Sequence, residues 1–342
     1  MAELDLPDAM RDELRAAWHR YLDLLAPLRP GLFAYCRRLT GNVWDAEDLV
    51  QDTLLRAFGV LGRLHQEIRN PRAYVLRTAT NLWIDTLRRR GTEAASVAAQ
   101  TVDPPSRASG PETASTVRDA GAALLQRLAP QERAAIVLKE VFDLSLEETA
   151  LVLETTIGAI KAALHRARAR LREAEGETLS RRPAPSTALV DRFVEAFNAR
   201  DRAGLLALVL DTASVDMVGC GLQYGREALE GEQSWFRGAL DGHPEWPAEF
   251  AFESQRLERA VVAGEPVALY FRTRRGREAL EQVLRLEELE GRVARIRDYA
   301  FCPEALREIG AGLGLRVRTG LYRYPTPEPG RPWPRAGGGA GA

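Results

Sequence analysis

The stretch "TTIGAIKAALHRARARLR", Thr155 to Arg172, constrains the fold most. It holds five cations, Lys161, Arg166, Arg168, Arg170 and Arg172, and no carboxylate, in a chain of formal net charge -1. Ile157, Ile160, Leu164, Ala167 and Leu171 recur at three- and four-residue steps, which predicts a helix with one stripe against a core. Lys161, His165, Arg168 and Arg172 follow the same steps, rotated by about 100° from Ile160. Taken alone, this second stripe is equally a solvated charged face.

The residues before it narrow the choice. In "LAPQERAAIVLKEVFDLSLEETALVLETT", Pro130 opens a helix with Leu128, Ile136, Val137 and Val141 as core positions. Ser145 and Glu148 form a capping box for a second helix, about Leu146 to Leu153, with Leu146, Thr149, Ala150 and Leu153 inward. A short turn at Glu154 and Thr155 then leads into the basic helix. Two short helices, a tight turn and a cationic second helix make a helix-turn-helix, whose second helix enters the DNA major groove.

Two further helical patterns lie upstream. In "DAEDLVQDTLLRAF", Ala46, Leu49, Val50, Thr53, Leu54, Ala57 and Phe58 form a core stripe, and Asp48, Gln51, Asp52 and Leu55 lie opposite. A leucine among carboxylates suits a protein partner better than DNA, although chance exposure of one leucine is the commoner case. In "NPRAYVLRTATNLWIDTLRRR", Pro71 starts a helix that ends in Arg88, Arg89 and Arg90 before Gly91. Val75, Leu76, Ala79, Leu82, Trp83 and Leu87 can be buried, while Tyr74, Arg77, Asn81, Asp85 and Arg88 share the other face. Terminal arginines complement the helix dipole. Aromatic, amide and cationic groups on one face also suit unstacked bases and phosphates.

The order of these blocks, "AEDLVQDTLLRAF", "RAYVLRTATNLWIDTLRRR", "LAPQERAAIVLKEVFDLSLEETALVL" and "IGAIKAALHRARARLR", resembles the extracytoplasmic-function sigma factors, over roughly Leu22 to Leu171. The resemblance implies that Asp48, Gln51, Asp52 and Leu55 bind the clamp of the RNA polymerase largest subunit, with the flap as a further contact. It implies that His65, Asn70, Tyr74, Arg77, Asn81, Asp85, Arg88 and Arg89 hold the melted minus 10 strand. Thr156, Lys161, His165, Arg166 and Arg168 match positions that meet the minus 35 duplex, and Ala163 stands where the pattern often has Arg.

Charge agrees with this division. Arg20 to Thr92 holds 12 Arg and Lys against 7 Asp and Glu, net +5, whereas Pro183 to the end holds 21 against 23, net -2. The electrostatic footprint for nucleic acid lies in the first half. No stretch is apolar enough to span a bilayer and no signal peptide opens the sequence, so a cytoplasmic protein without membrane contact is expected. Cys36, Cys220 and Cys302 lack metal-ligand spacing; neither metal nor cofactor is expected.

The expected organisation is multidomain: two all-α helical sigma domains, the second a helix-turn-helix, then an α+β cone-shaped domain. The sequence divides into 1–91, a flexible linker 92–117 with acidic residues Glu93, Asp103 and Glu112, the helix-turn-helix 118–174, a linker 175–186, the third domain 187–324 and a disordered tail 325–342. In the third domain, Leu189, Phe193 and Phe197 face inward on a helix, and "VALYFRTRR" and "EQVLRLEELEGRVARIRDYAF" supply strands with turns at Gly276 and Gly291. "FVEAFNARDRAGLLALV", "YGREAL" and "RVARIRDYAF" resemble SnoaL-like domains of the NTF2-like superfamily. Sigma factors with such an extension use it as a built-in regulator, which implies intramolecular contact with the sigma domains.

The residues leave other classes open. A repressor or activator would need the helix-turn-helix alone, without the Asp48 surface. An enzyme fused to a DNA-binding module would use Asp216, Asp241, His243 or Asp298. Trp235, Trp246, Tyr270, Phe271 and Tyr299 line either a core or a small-molecule pocket, and core is the commoner fate.

Overall fold

A computed structural model describes residues 8–61, 70–98, 125, 128–173, 184–225, 230, 234–241 and 251–319. The chain forms two compact units, Tyr21–Arg181 and a second made of Met1–Arg20 with Arg182–Ala342.

The first unit is helical: α1 (Asp8–Leu25, entering at Tyr21), α2 (Arg29–Thr40), α3 (Val43–Leu61), α4 (Pro71–Ala98), α5 (Pro130–Ile136), α6 (Leu146–Val152) and α7 (Ile157–Glu173). The α3 stripe is inward as its spacing predicts, with Ala46, Leu49, Val50, Thr53, Leu54 and Ala57 buried. Tyr21 Oη donates to Leu54 O at 2.8 Å, and the Tyr35 and Thr80 hydroxyls lie 2.7 Å apart, joining α1 to α3 and α2 to α4. The buried Arg29–Glu47 pair, 2.5 Å apart, adds a charged link between α2 and α3.

Three positions depart from the sequence expectation. Helix α4 runs on to Ala98, past Gly91 and into the segment expected to be a linker. The alanine-rich run after Gly91 favours continued helix enough to carry one glycine. Val141, expected in the core, is exposed. It closes a π-helical turn, Val137–Val141, that continues α5, and Phe142 N donates to Val137 O at 3.1 Å. The extra residue in the turn rotates Val141 outward and brings Phe142 edge-on to Tyr35, 5.7 Å between centroids. Ile157, expected inward, is 38% exposed. As the first residue of α7 it has no preceding helical turn to pack beneath.

In the second unit α8 (Thr187–Asn198) and α9 (Arg202–Leu208) precede β1 (Val209–Met217) and β2 (Gly221–Tyr224). After α10 (Trp235–Leu240) come β3 (Ser254–Val262), β4 (Glu265–Arg274), β5 (Arg277–Leu289) and β6 (Arg292–Asp298), then α11 (Pro303–Leu313), a helix not among the sequence expectations. The sheet order is β2-β1-β6-β5-β4-β3, with β1 parallel to β6 and the other pairs antiparallel. This is the α+β architecture expected of the extension. Gly276 and Gly291 take φ of 66° and 73° in the expected hairpin turns, where a side chain would be strained.

Leu189, Phe193 and Phe197 of α8 and Trp235 and Phe236 of α10 share a core with Leu257, Tyr270, Leu284 and Ile296 of the sheet. Asn198 fastens α8 to β3, donating to Leu257 O at 2.9 Å and accepting from Leu257 N at 2.8 Å. Tyr270, Phe271 and Tyr299 are buried; Trp246 and the tail after residue 319 lie outside the described residues.

Candidate nucleic-acid and polymerase interfaces

Burial of the α3 stripe turns Asp52 and Leu55 outward, with Leu55 57% exposed. Asp48 and Gln51 are half-buried beside them, and Gln51 Nε2 donates to Glu47 Oε1 at 2.6 Å. The four residues thus share the side of α3 opposite its core stripe.

Helix α4 begins at a cap: Asn70 Oδ1 accepts from Ala73 N at 3.0 Å. Asn70 therefore has a structural duty at the position expected to touch DNA. Tyr74 and Arg77 are half-buried, and Asn81, Asp85, Arg88 and Arg89 are exposed along the helix. Arg88 lies 3.6 Å from Asp85, and Arg89 Nε donates to the Asp85 carbonyl at 3.4 Å. These are weak surface contacts that a phosphate can replace. His65 lies outside the described residues.

The helix-turn-helix is set by the capping box read from the sequence. Glu148 N donates to Ser145 Oγ at 3.0 Å and Ser145 N to Glu148 Oε2 at 2.8 Å. Those bonds from Ser145 hold the Glu148 carboxyl below its ordinary range. Thr156 Oγ1 accepts from Ala159 N at 3.1 Å and so caps α7. Ile160, Ala163, Leu164 and Ala167 are buried, leaving Lys161, His165, Arg166 and Arg168 on exposed sides. Ala163 therefore faces the core, and the lack of Arg there takes nothing from a DNA-facing surface.

The arginines of α7 have partners the sequence did not reveal. Glu132, buried on α5, takes Arg166 Nε on Oε1 at 2.8 Å and Arg170 Nη1 on Oε2 at 2.6 Å. Arg168 pairs with Glu140. Within the same unit α4 touches the helix-turn-helix: Arg77 Nη1 lies 3.2 Å from Glu154 Oε1. Arg133, buried on α5, donates to Leu39 O at 2.7 Å, and its guanidinium sits 5.0 Å from the Trp83 ring centroid. Burial lowers the Arg133 pKa to about 10.

Leu151 of α6 is 56% exposed near the carboxylates of Glu147, Glu148 and Glu154 in sequence. The signal was present in the same form as at Leu55: an apolar residue off the inward stripe, among acids.

The enzyme candidates of the second unit are dispersed into structural bonds. Asp216 bridges Arg295 and Arg297 at 2.6 and 3.1 Å, and Asp241 lies 3.6 Å from Arg202. Asp298 is buried and accepts from Trp235 Nε1 at 2.8 Å and Ala300 N at 2.9 Å. Burial raises its pKa to about 6, against the lowering effect of those two donors. His243 lies outside the described residues. Among the described residues no group of His, Cys, Asp and Glu could hold a metal ion, and no helix is long and apolar enough to cross a membrane.

The comparisons agree with these two helical regions. The Sigma-70 region 2 model matches residues 24–93 and the Sigma-70, region 4 model residues 122–171. ECF RNA polymerase sigma factor SigG of Mycobacterium tuberculosis is 30% identical over 282 residues, covering 72% of this chain and 71% of that protein. This chain belongs to the ECF sigma factors. A sigma factor of this family binds core RNA polymerase and directs it to promoters, and this one carries both DNA-binding regions. SigW of Bacillus subtilis is 30% identical over 169 residues, 45% of this chain and 87% of that one. Among solved structures, the sigma factor SigJ of Mycobacterium tuberculosis matches with TM-score 0.31 and 22% identity, over 81% of this sigma factor and 95% of that chain.

Proposed function

We propose that this sigma factor meets polymerase and promoter through four separate faces, and that its C-terminal α+β domain modulates the sigma portion. Asp48, Gln51, Asp52 and Leu55 form the clamp-binding face. Leu151, an exposed leucine in an equally acidic setting, marks the flap-binding face on α6. The Tyr74, Arg77, Asn81, Asp85, Arg88 and Arg89 face of α4, with Asn70 and the segment holding His65, takes the melted minus 10 strand. Helix α7 meets the minus 35 duplex. The proposed domains are 1–91, 118–174 and 187–324, with α4 extending past the first boundary.

The observation that carries this reading is the exposed basic side of α7, capped at Thr156 and backed by a buried apolar side. Run-off transcription with core polymerase tests it. Reversing charge at the exposed Asp52 should sharply reduce polymerase binding while leaving thermal unfolding near wild type, since an exposed charge contributes little stability. Co-purification of that variant with core enzyme at the wild-type level refutes the clamp assignment.

The contacts between α4 and the helix-turn-helix bear on the cycle. Elements at minus 10 and minus 35 are about 25 base pairs apart, roughly 85 Å of duplex at 3.4 Å per step. Arg77 and Glu154 at 3.2 Å cannot serve both at once. In this reading the pair parts on the promoter. Truncation after Arg182 tests the regulatory role of the extension; unchanged run-off activity and DNA binding would refute it.

A further inference from the structure

The base-reading surface of α7 differs from what its charge suggests. With Ile160, Ala163, Leu164 and Ala167 buried, a rotation of about 100° per residue puts Gly158, Ala162 and His165 on the opposite side, with Lys161 beside them. All four are exposed. Arg166 and Arg170 are bonded to Glu132 and Arg168 to Glu140, so each would have to break a charge-assisted bond before forking onto a guanine edge. Lys161 and His165 remain as the hydrogen-bonding groups of that side, around an apolar centre.

Gly158 leaves the first turn of this side bare. A Cβ added there would meet only Thr156 Oγ1, at 3.9 Å, an ordinary contact. The protein needs no glycine at this point, and glycine inside a helix is less stable than alanine. The open side of Gly158 leaves room for a group approaching from outside. A bare first turn lets the helix backbone come close to the base edges, and brings the Ala162 methyl down to the groove floor. The apolar group that a base pair presents in the major groove is the C5-methyl of thymine.

We propose that this sigma factor reads the minus 35 duplex through the C5-methyl group of a thymine held against Ala162, with Gly158 giving the clearance and Lys161 and His165 the flanking hydrogen bonds. The proposal rests on the reading of α7 as the minus 35 reader. Its test uses the full-length protein with core polymerase and a duplex selected by that holoenzyme from a library randomised at the minus 35 element. Each thymine is replaced in turn by deoxyuridine, which removes the methyl alone. At one position affinity should fall about fourfold, the effect of burying one methyl group. Ala162→Gly should bind the thymine and uracil duplexes equally. Gly158→Ala should melt no lower than wild type yet bind the thymine duplex more weakly. Uracil tolerance at every position, or wild-type binding by Gly158→Ala, overturns the methyl assignment alone. A selected duplex whose binding is indifferent to Lys161→Ala, Arg166→Ala and Gly158→Ala together overturns the minus 35 reading and this inference with it.

Discussion

Two carboxylates in this sigma factor hold two and three arginines, with opposite results. Glu132 binds Arg166 and Arg170 of α7, whose side chains stay 57% and 49% exposed. Glu281, in β5, binds Arg274 Nε at 2.7 Å and Arg318 Nη1 at 2.5 Å and lies 3.8 Å from Arg272 Nη1. Arg272 and Arg274 are sunk to 1% and 10% exposure. The first cluster keeps its cations half in water, oriented on a helix. The second uses them to join β4, β5 and the segment after α11, where Leu280 also bridges to Val317. Burial, rather than the type of residue, separates an exposed cationic surface from a structural link.

The comparison is broken most severely at Glu281. Glu281→Gln leaves buried guanidinium groups without their anion, and should cost about 3–5 kcal/mol in the unfolding of the C-terminal domain. Differential scanning calorimetry measures it, and the helical unit should unfold as before.

Asp298 gives the next largest effect, through pH. Its folded pKa is raised to about 6, above the ordinary value of about 3.9. Its contribution is therefore fully present below about pH 4 and lost as pH rises through 6, a swing of about 3 kcal/mol. Trp235→Phe removes a donor to the carboxylate and should move the Asp298 titration above 6, read by carboxyl carbon NMR.

Glu132→Gln should cost about 1–2 kcal/mol, less than Glu281→Gln because its arginines are already half in water. Arg170→Ala should change stability less still, yet reduce the slope of log affinity for promoter duplex against log salt by about 0.9 if Arg170 meets a phosphate. A loss of stability at Glu132 equal to that at Glu281 would erase the distinction between the clusters.

The smallest effect belongs to Arg77→Ala. Its bond to Glu154 is a surface pair worth roughly 0–1 kcal/mol, so the fold should hold. Arg133→Ala in the same background should loosen α4 from the helix-turn-helix, seen as faster amide exchange at the Leu39 end of α2.

Much of this was legible in the sequence because it is local. The Ser145 and Glu148 box, the α3 and α4 stripes and the hairpin glycines depend on residues three or four apart, or on one backbone angle. Val141 and Ile157 were misread because periodicity assumes an unbroken helix with turns on both sides. At Val141 a π-helical turn shifts the phase, and Ile157 stands where the helix begins. Arg166 had the charge and spacing of a DNA contact; its bond to Glu132, 34 positions away, has no signature in the local pattern.

The sequence by itself determined the family, the order of the helical regions, the α+β nature of the extension and the excess of cations on α7. The tertiary structure alone decided which of those cations are held by carboxylates, that Ala163 faces the core while Gly158 and Ala162 face out, and that Glu281 buries its arginines. Helix formation and capping are governed by neighbours along the chain, whereas the partner of a charged side chain is chosen by whichever distant segment the packing of the core brings within about 3 Å.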